Sequence, residues 1–202
     1  RVVLVGPAPY LQNKKRGKLI EDYDIVCGIG STYNLNSEDY GNRIDILFST
    51  TNDLSIRDIH KNNIISKNIK YIIGTNKRNK TINRQNFLNF CSVINKISNQ
   101  NVSCFNISDY ATMLEAKCCK CSIQQAIQHD GLHTGSFAIS YLLNLPIKEL
   151  RIEGMTFFNS GKFGYIHNKD YHLNKHHFLN GNSHPMLKIQ DEISFVKNII
   201  KN

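Results

Sequence analysis

Six short apolar runs, most of them rich in β-branched residues, recur along this chain and are separated by stretches long enough for helices. They cover residues 2–5, 25–29, 44–48, 71–73, 102–105 and 149–153. Runs of this length and composition suit strands buried on both faces of a parallel sheet. Between them, "NRQNFLNFCSVINKIS" puts Phe87, Phe90, Cys91, Ile94 and Ile97 at helical spacing, and "TGSFAISYLLNL" carries Phe137, Ile139, Leu142 and Leu143 on a second helix ended by Pro146. Strands alternating with amphipathic helices specify an α/β fold with a mostly parallel central sheet flanked by helices. With 202 residues and no repeat, low-complexity tract or linker, the chain reads as a single domain able to bury its own core.

The first strand breaks into "GPAPY", where Gly6 frees the backbone and Pro7 and Pro9 stiffen the turn. In open α/β sheets the C-terminal strand edge is where ligands sit, so this turn asks what it holds. A formal charge of +9 favours an anion: a nucleotide, an acidic sugar, nucleic acid or a lipid headgroup. The plain alternative is a solvated Lys-rich surface. The heavy use of Asn, Ile and Lys reads as genome composition.

Two further places carry chemistry. In "HTGS", Thr134 is positioned to cap a helix whose first amides, near Gly135 and Ser136, suit an anion. His184 stands at the entrance of a final helix whose apolar side is Ile189, Ile193, Val196, Ile199 and Ile200, and Pro185 fits an early helical position. Before it, residues 155–183 lose all periodicity while staying rich in Gly, Asn, His and aromatics, which suits a functional loop closing over substrates. Other signals read as structural. The six cysteines lack paired C-x-x-C knuckles and are expected to be free thiols in a reducing setting. Asp22 and Asp24 imitate a metal-binding D-x-D but precede a strand, and His172, His176 and His177 lack a partner for zinc, so no metal site is expected.

Taken in order, three segments resemble the sialyltransferase family, glycosyltransferase family 29, above all its short microbial and viral members. The long sialylmotif is similar to "VVLVGPAPYL…RGKLIEDYDIVCGIG…EDYGNRIDILF", the short motif to "GLHTGSFAISYLLNLPIKELRIEGMTFF", and the late His motif to "HPMLKIQDE". The likeness covers most of the chain and is thinnest over residues 50–128. It implies a single-domain variant Rossmann-like fold that moves an acidic sugar from a CMP-sugar donor to a glycan acceptor hydroxyl. The anomeric centre would invert with His as general base, without a cofactor or an essential metal. By the same resemblance Gly6, Pro7 and Ala8 match the donor turn. His133, Thr134, Gly135 and Ser136 match the second nucleotide turn, and Gly154 the end of the donor-side strand. Tyr171 or His172 fills the phosphate-contacting position, and His184 is the base.

The chain departs from the family at Gly28, Ile29 and Gly30, where Arg-x-Asn is usual and the Asn holds the nucleotide. Pro7 and Ala8 replace the Asn-Ser of animal enzymes. Ile189 stands where a Glu follows the base, Glu192 lying three residues later, and the paired motif cysteines have no counterparts. These changes admit another donor, such as Kdo, or an inactive nucleotide-sugar-binding relative. A basic nucleic-acid-binding protein is the other rival. The run "TNKRNKTINRQNF" is its support, but no sequence signature of base-stacking aromatics accompanies it, so no nucleic acid is expected. The chain opens on Arg1 rather than Met and is expected to be N-terminally trimmed. A cytoplasmic setting in a microbe or virus-infected cell is favoured, and a membrane-anchored Golgi-type setting would need an upstream anchor.

Overall fold

The computed structural model describes residues 1–30, 32, 35–50, 69–75, 80–98, 102–120, 122–124, 133–155, 194, 197 and 198. All six apolar runs are strands: β1 Val2–Val5, β2 Ile25–Ile29, β3 Ile46–Ser49, β4 Tyr71–Gly74, β5 Ser103–Asn106 and β6 Leu150–Glu153. They form one sheet in the order β5-β4-β3-β2-β1-β6, and every pairing is parallel. β3 begins two residues later than the apolar run because Asp45 breaks the ladder. Its carboxylate, rather than a neighbouring carbonyl, accepts the Val26 N–H at 2.9 Å.

Five helices are described: α1 Gly17–Glu21, α2 Ser37–Tyr40, α3 Lys80–Ser98, α4 Ser108–Cys119 and α5 Thr134–Leu143. Alternation along each strand divides the core into two sides. On one, Val3, Val5 and Val26 pack with Ile20 of α1 and Tyr40 of α2, while Leu47 and Ile72 pack with Phe87, Phe90, Cys91 and Ile94 of α3. On the other, Val2, Leu4, Cys27, Ile29, Phe48 and Ile73 meet Ala138, Ile139 and Leu142 of α5. Ala111 and Leu114 of α4 close over Phe137 of α5. The molecule is thus an α/β fold with helices on both faces of a parallel sheet.

Three readings of the sequence need correction. Leu143, expected inside, is 36% exposed, because the apolar stripe of α5 narrows as the helix reaches its cap at Asn144. Helix α4 was not legible: its apolar positions are few, and its Thr112 hydroxyl bonds back to the Ser108 carbonyl at 2.8 Å. Gly6 is needed for the room around it, as shown below. Ile97's side chain and the apolar side of the final helix lie outside the described residues, although Ser194, Lys197 and Asn198 are helical and exposed. Among the described residues no helix is long and apolar enough to cross a membrane.

Asp45 ties three elements together at the N-terminal edge of the sheet. Besides the Val26 amide it meets Lys70 Nζ at 3.0 Å and Arg43 Nε at 3.2 Å. Lys70 is 65% exposed, so that ion pair contributes little, and the buried Val26 amide decides the effect of a substitution. Asp45→Ala should lower stability by about 1–3 kcal/mol in urea unfolding, the cost of orphaning a buried donor. Asp45→Asn should lose less, since its amide oxygen can still accept.

Candidate functional site

The strand order reverses beside β1. Strands β1 to β5 march away in one direction, and β6 returns to the other side of β1. At such a reversal the chains leaving two neighbouring strands diverge and open a crevice at their C-terminal ends. Gly6 and Gly154 lie at those ends. Their backbones are in direct contact: Gly6 N–H donates to the Glu153 carbonyl and Ala8 N–H to the Gly154 carbonyl, both at 2.8 Å. Gly154 has φ +66, a conformation that side chains resist, and a Cβ there would stand 2.2 Å from the Gly6 oxygen. A Cβ on Gly6 would stand 2.5 Å from the Gly154 oxygen. The two glycines require each other.

Two tyrosines clamp this double turn. Tyr40 donates to the Ala8 carbonyl at 2.6 Å, and the Gly154 N–H donates to the Tyr10 hydroxyl at 2.7 Å. Burial holds the Tyr40 phenol well above its ordinary pKa, so it remains a donor. Pro9 opens a 3₁₀ turn, Pro9–Leu11, with Ala8 extended before it. Pro7 is buried within the turn. Thr32 fastens the exit of β2 to the same place: its hydroxyl accepts from Ile29 N–H at 2.9 Å and lies 3.2 Å from the Val5 carbonyl. Gly30, beside it, has φ +55, and among the described residues, its chain neighbours aside, no atom lies within 4 Å of where a Cβ would be.

The start of α5 joins these turns through one side chain. A Cβ on Gly6 would lie 2.4 Å from Met155 Cγ, and one on Gly135 2.4 Å from Met155 Cε. Met155 therefore fills the space between the first turn and the helix N-terminus. The cap itself sits one residue earlier than the sequence suggested. His133 is the extended cap residue, its carbonyl accepts the Ser136 amide at 3.0 Å, and Thr134 is the first helical residue. The amides with no acceptor among the described residues are thus those of Thr134 and Gly135 rather than that of Ser136, whose side chain is buried. The Thr134 hydroxyl also stands 3.5 Å from that of Thr75, just past the end of β4.

Charge is arranged around these turns. Glu153, buried at the end of β6, receives Arg16 and Arg151 at 2.7 Å each. Asp39 of α2 accepts the Lys15 amide at 2.9 Å and the Asn13 amide at 2.8 Å, holding two left-handed residues of the loop that presents Lys14 and Lys15. Asp22 and Asp24 precede β2 and so lie at the opposite edge of the parallel sheet, away from the turns. Among the described residues no cluster of three or more metal-ligating side chains occurs.

Of the residues singled out in the sequence, Gly6, Pro7, Ala8, Gly30, His133, Thr134, Gly135, Ser136 and Gly154 all lie along one sheet edge. Tyr171, His172, His184 and most of the 155–183 loop lie outside the described residues. Sequence reasoning missed Tyr10, Thr32, Tyr40, Thr75 and Met155. Thr75 and Met155 each follow a strand end closely, which was the available signal; nothing local marks Tyr40 or Thr32. No family model matches the chain, and no curated protein or solved structure matches it significantly.

Two measurements check this construction. Gly154→Ala should lose about 1–3 kcal/mol from its backbone conformation alone, and more from the contact with Gly6, read as a lowered urea midpoint. The Lys15 and Asn13 amides hold the Asp39 carboxyl below its ordinary value of 3.8, so its stabilisation is complete above that pH and is lost as the pH falls through the lowered pKa. Asp39→Asn should remove this acid-side slope from the pH dependence of unfolding.

Proposed function

We propose that this chain is an inverting glycosyltransferase of the sialyltransferase type, with a variant Rossmann-like fold, that moves sialic acid or a Kdo-like sugar from a CMP donor to a glycan hydroxyl. The observation that carries the proposal is the meeting of the turns at Gly6, Gly135 and Gly154 around Met155, where the strand order reverses. The resemblance assigns all three to donor binding, and a crevice at that edge is where open parallel sheets take nucleotides.

The chemistry suits the residues. The Thr134 and Gly135 amides, at the positive end of α5, would meet the donor phosphate. Met155 offers a polarizable thioether to a flat base. In the reaction the acceptor oxygen attacks the anomeric carbon, the bond to CMP breaks, and CMP departs with the electron pair. The acceptor proton passes to His184, whose neutral imidazole is a competent base near pH 7. The departing phosphate is stabilised by amides and cations, so no metal is required. The roles of His184 and of Tyr171 or His172 rest on the resemblance.

A second reading, a nucleotide-sugar-binding relative without turnover, is favoured by Gly30. That position lacks the family's Asn, and no described atom beyond its chain neighbours lies near where its Cβ would be. Its left-handed backbone would accept Asn, a residue that tolerates φ above zero.

Incubation with a panel of nucleotide sugars, with and without acceptor glycans, should release CMP and no other nucleotide. Release of UMP, UDP or GDP instead would overturn the donor assignment, and CMP binding by calorimetry without release would favour the second reading. Turnover should survive EDTA. His184→Ala should lose about 10²–10⁴ in turnover, the usual worth of a general base, with donor affinity unchanged.

A further inference from the structure

Away from the candidate site, two thiols meet across the packing of α3 on the outer strand. Cys91 faces inward from α3 among Ile72, Phe90, Ile94 and Val102, and Cys104 of β5 packs against the same cluster. Among the described strands β5 is outermost, and it pairs with β4. Cys91 is buried, whereas Cys104 is partly open to solvent. The two side chains share this cluster, and each thiol shifts the other's proton affinity, Cys91 upward and Cys104 downward. The Cys104 sulfur also lies 3.7 Å from the Val102 carbonyl.

We infer that Cys91 and Cys104 form a reversible disulfide when the protein meets a peroxide, making this pair an oxidation site that staples α3 to the edge strand. The other described thiols are placed differently. Cys27 is enclosed beneath α5 on the opposite face of the sheet, where burial pushes its thiol up to about 12. Cys118 packs beside α5 with Ala111, Leu114 and Phe137. Cys104 combines partial exposure with a second thiol in the cluster it packs against.

The order of events follows from that asymmetry. Cys91 is held protonated, and beside it the thiolate of Cys104 is favoured. The Cys104 thiolate attacks one peroxide oxygen, an S–O bond forms, the O–O bond breaks, and hydroxide leaves to take up the proton that Cys104 gave. Cys91 then attacks the Cys104 sulfur, the S–S bond forms, and the sulfenic oxygen departs as water with the Cys91 proton. Two thiols lose two electrons and two protons, and one hydrogen peroxide becomes two waters. The enclosed Cys91 acts as the resolving thiol and halts the chemistry before the irreversible sulfinic acid.

Peptide mapping of the full chain tests this directly. Trypsin cuts after Arg84, Lys96 and Lys117, which places Cys91 and Cys104 on separate peptides with no other cysteine on either. After brief hydrogen peroxide treatment of the folded protein and alkylation, the non-reduced digest should contain these two peptides joined, with the mass of two hydrogens lost. Dithiothreitol should separate them. In Cys91→Ser, where the resolving thiol is gone, Cys104 should advance to sulfinic acid at the same peroxide dose. Cys104 and Cys91 both recovered as alkylated thiols, Cys104 recovered as sulfinic acid in the wild type, or either thiol joined to a different cysteine would overturn the inference.

Discussion

The backbone contact between Gly6 and Gly154 is the constraint on which the architecture of the site depends. Hydrogen bonds of 2.8 Å continue the β1–β6 pairing beyond both strands, and there is no room for a side chain on either residue. Because β6 is added on the far side of β1 from β2, this contact also marks where the sheet changes direction. Met155, next after Gly154, packs between Gly6 and Gly135. A side chain at any of these three glycines would push the turns apart or displace the methionine.

Around that contact, polar groups do what a helix would do elsewhere. β6 is outermost among the described strands; Ile152 packs on the α5 side of the sheet, while Arg151 and Glu153, in register with Val3 and Val5, face the other way. There Glu153 is closed over by Arg16 and Arg151. Asp39 performs a similar task one loop away, satisfying amides that a left-handed backbone turns inward. Asp45 does so at the opposite edge. Each carboxylate accepts donors at the margin of regular structure, Glu153 from the last position of β6 and Asp39 and Asp45 from beside loops. Such groups keep irregular backbone in one conformation, which a ligand-binding edge needs.

The strands were legible because β-branched runs bounded by polar residues have few other stable arrangements, and helices α3 and α5 because their apolar residues repeat at the helical period. Helix α4 was not, since its stripe is short and its companion is α5 rather than the sheet. Among site residues, Gly6, Gly135 and Gly154 could be picked out because turns at strand ends and helix starts have local signatures. Tyr40 and Thr32 could not: each reaches back to β1 or its turn from more than twenty residues away, and nothing beside them in sequence reports the partner.

By itself the sequence determined which segments are strands, that they run parallel with helices between them, and that glycine turns end β1 and β6. These follow from local sterics and from the periodicity with which apolar residues must be buried. The tertiary structure alone decided that β6 lies beside β1 on its free edge and that Met155 bridges Gly6 and Gly135. It also placed the helix cap at His133 instead of Thr134, and Cys91 against Cys104. Those facts depend on contacts between segments distant in sequence, or on a backbone geometry set by such contacts, and periodicity carries no record of them.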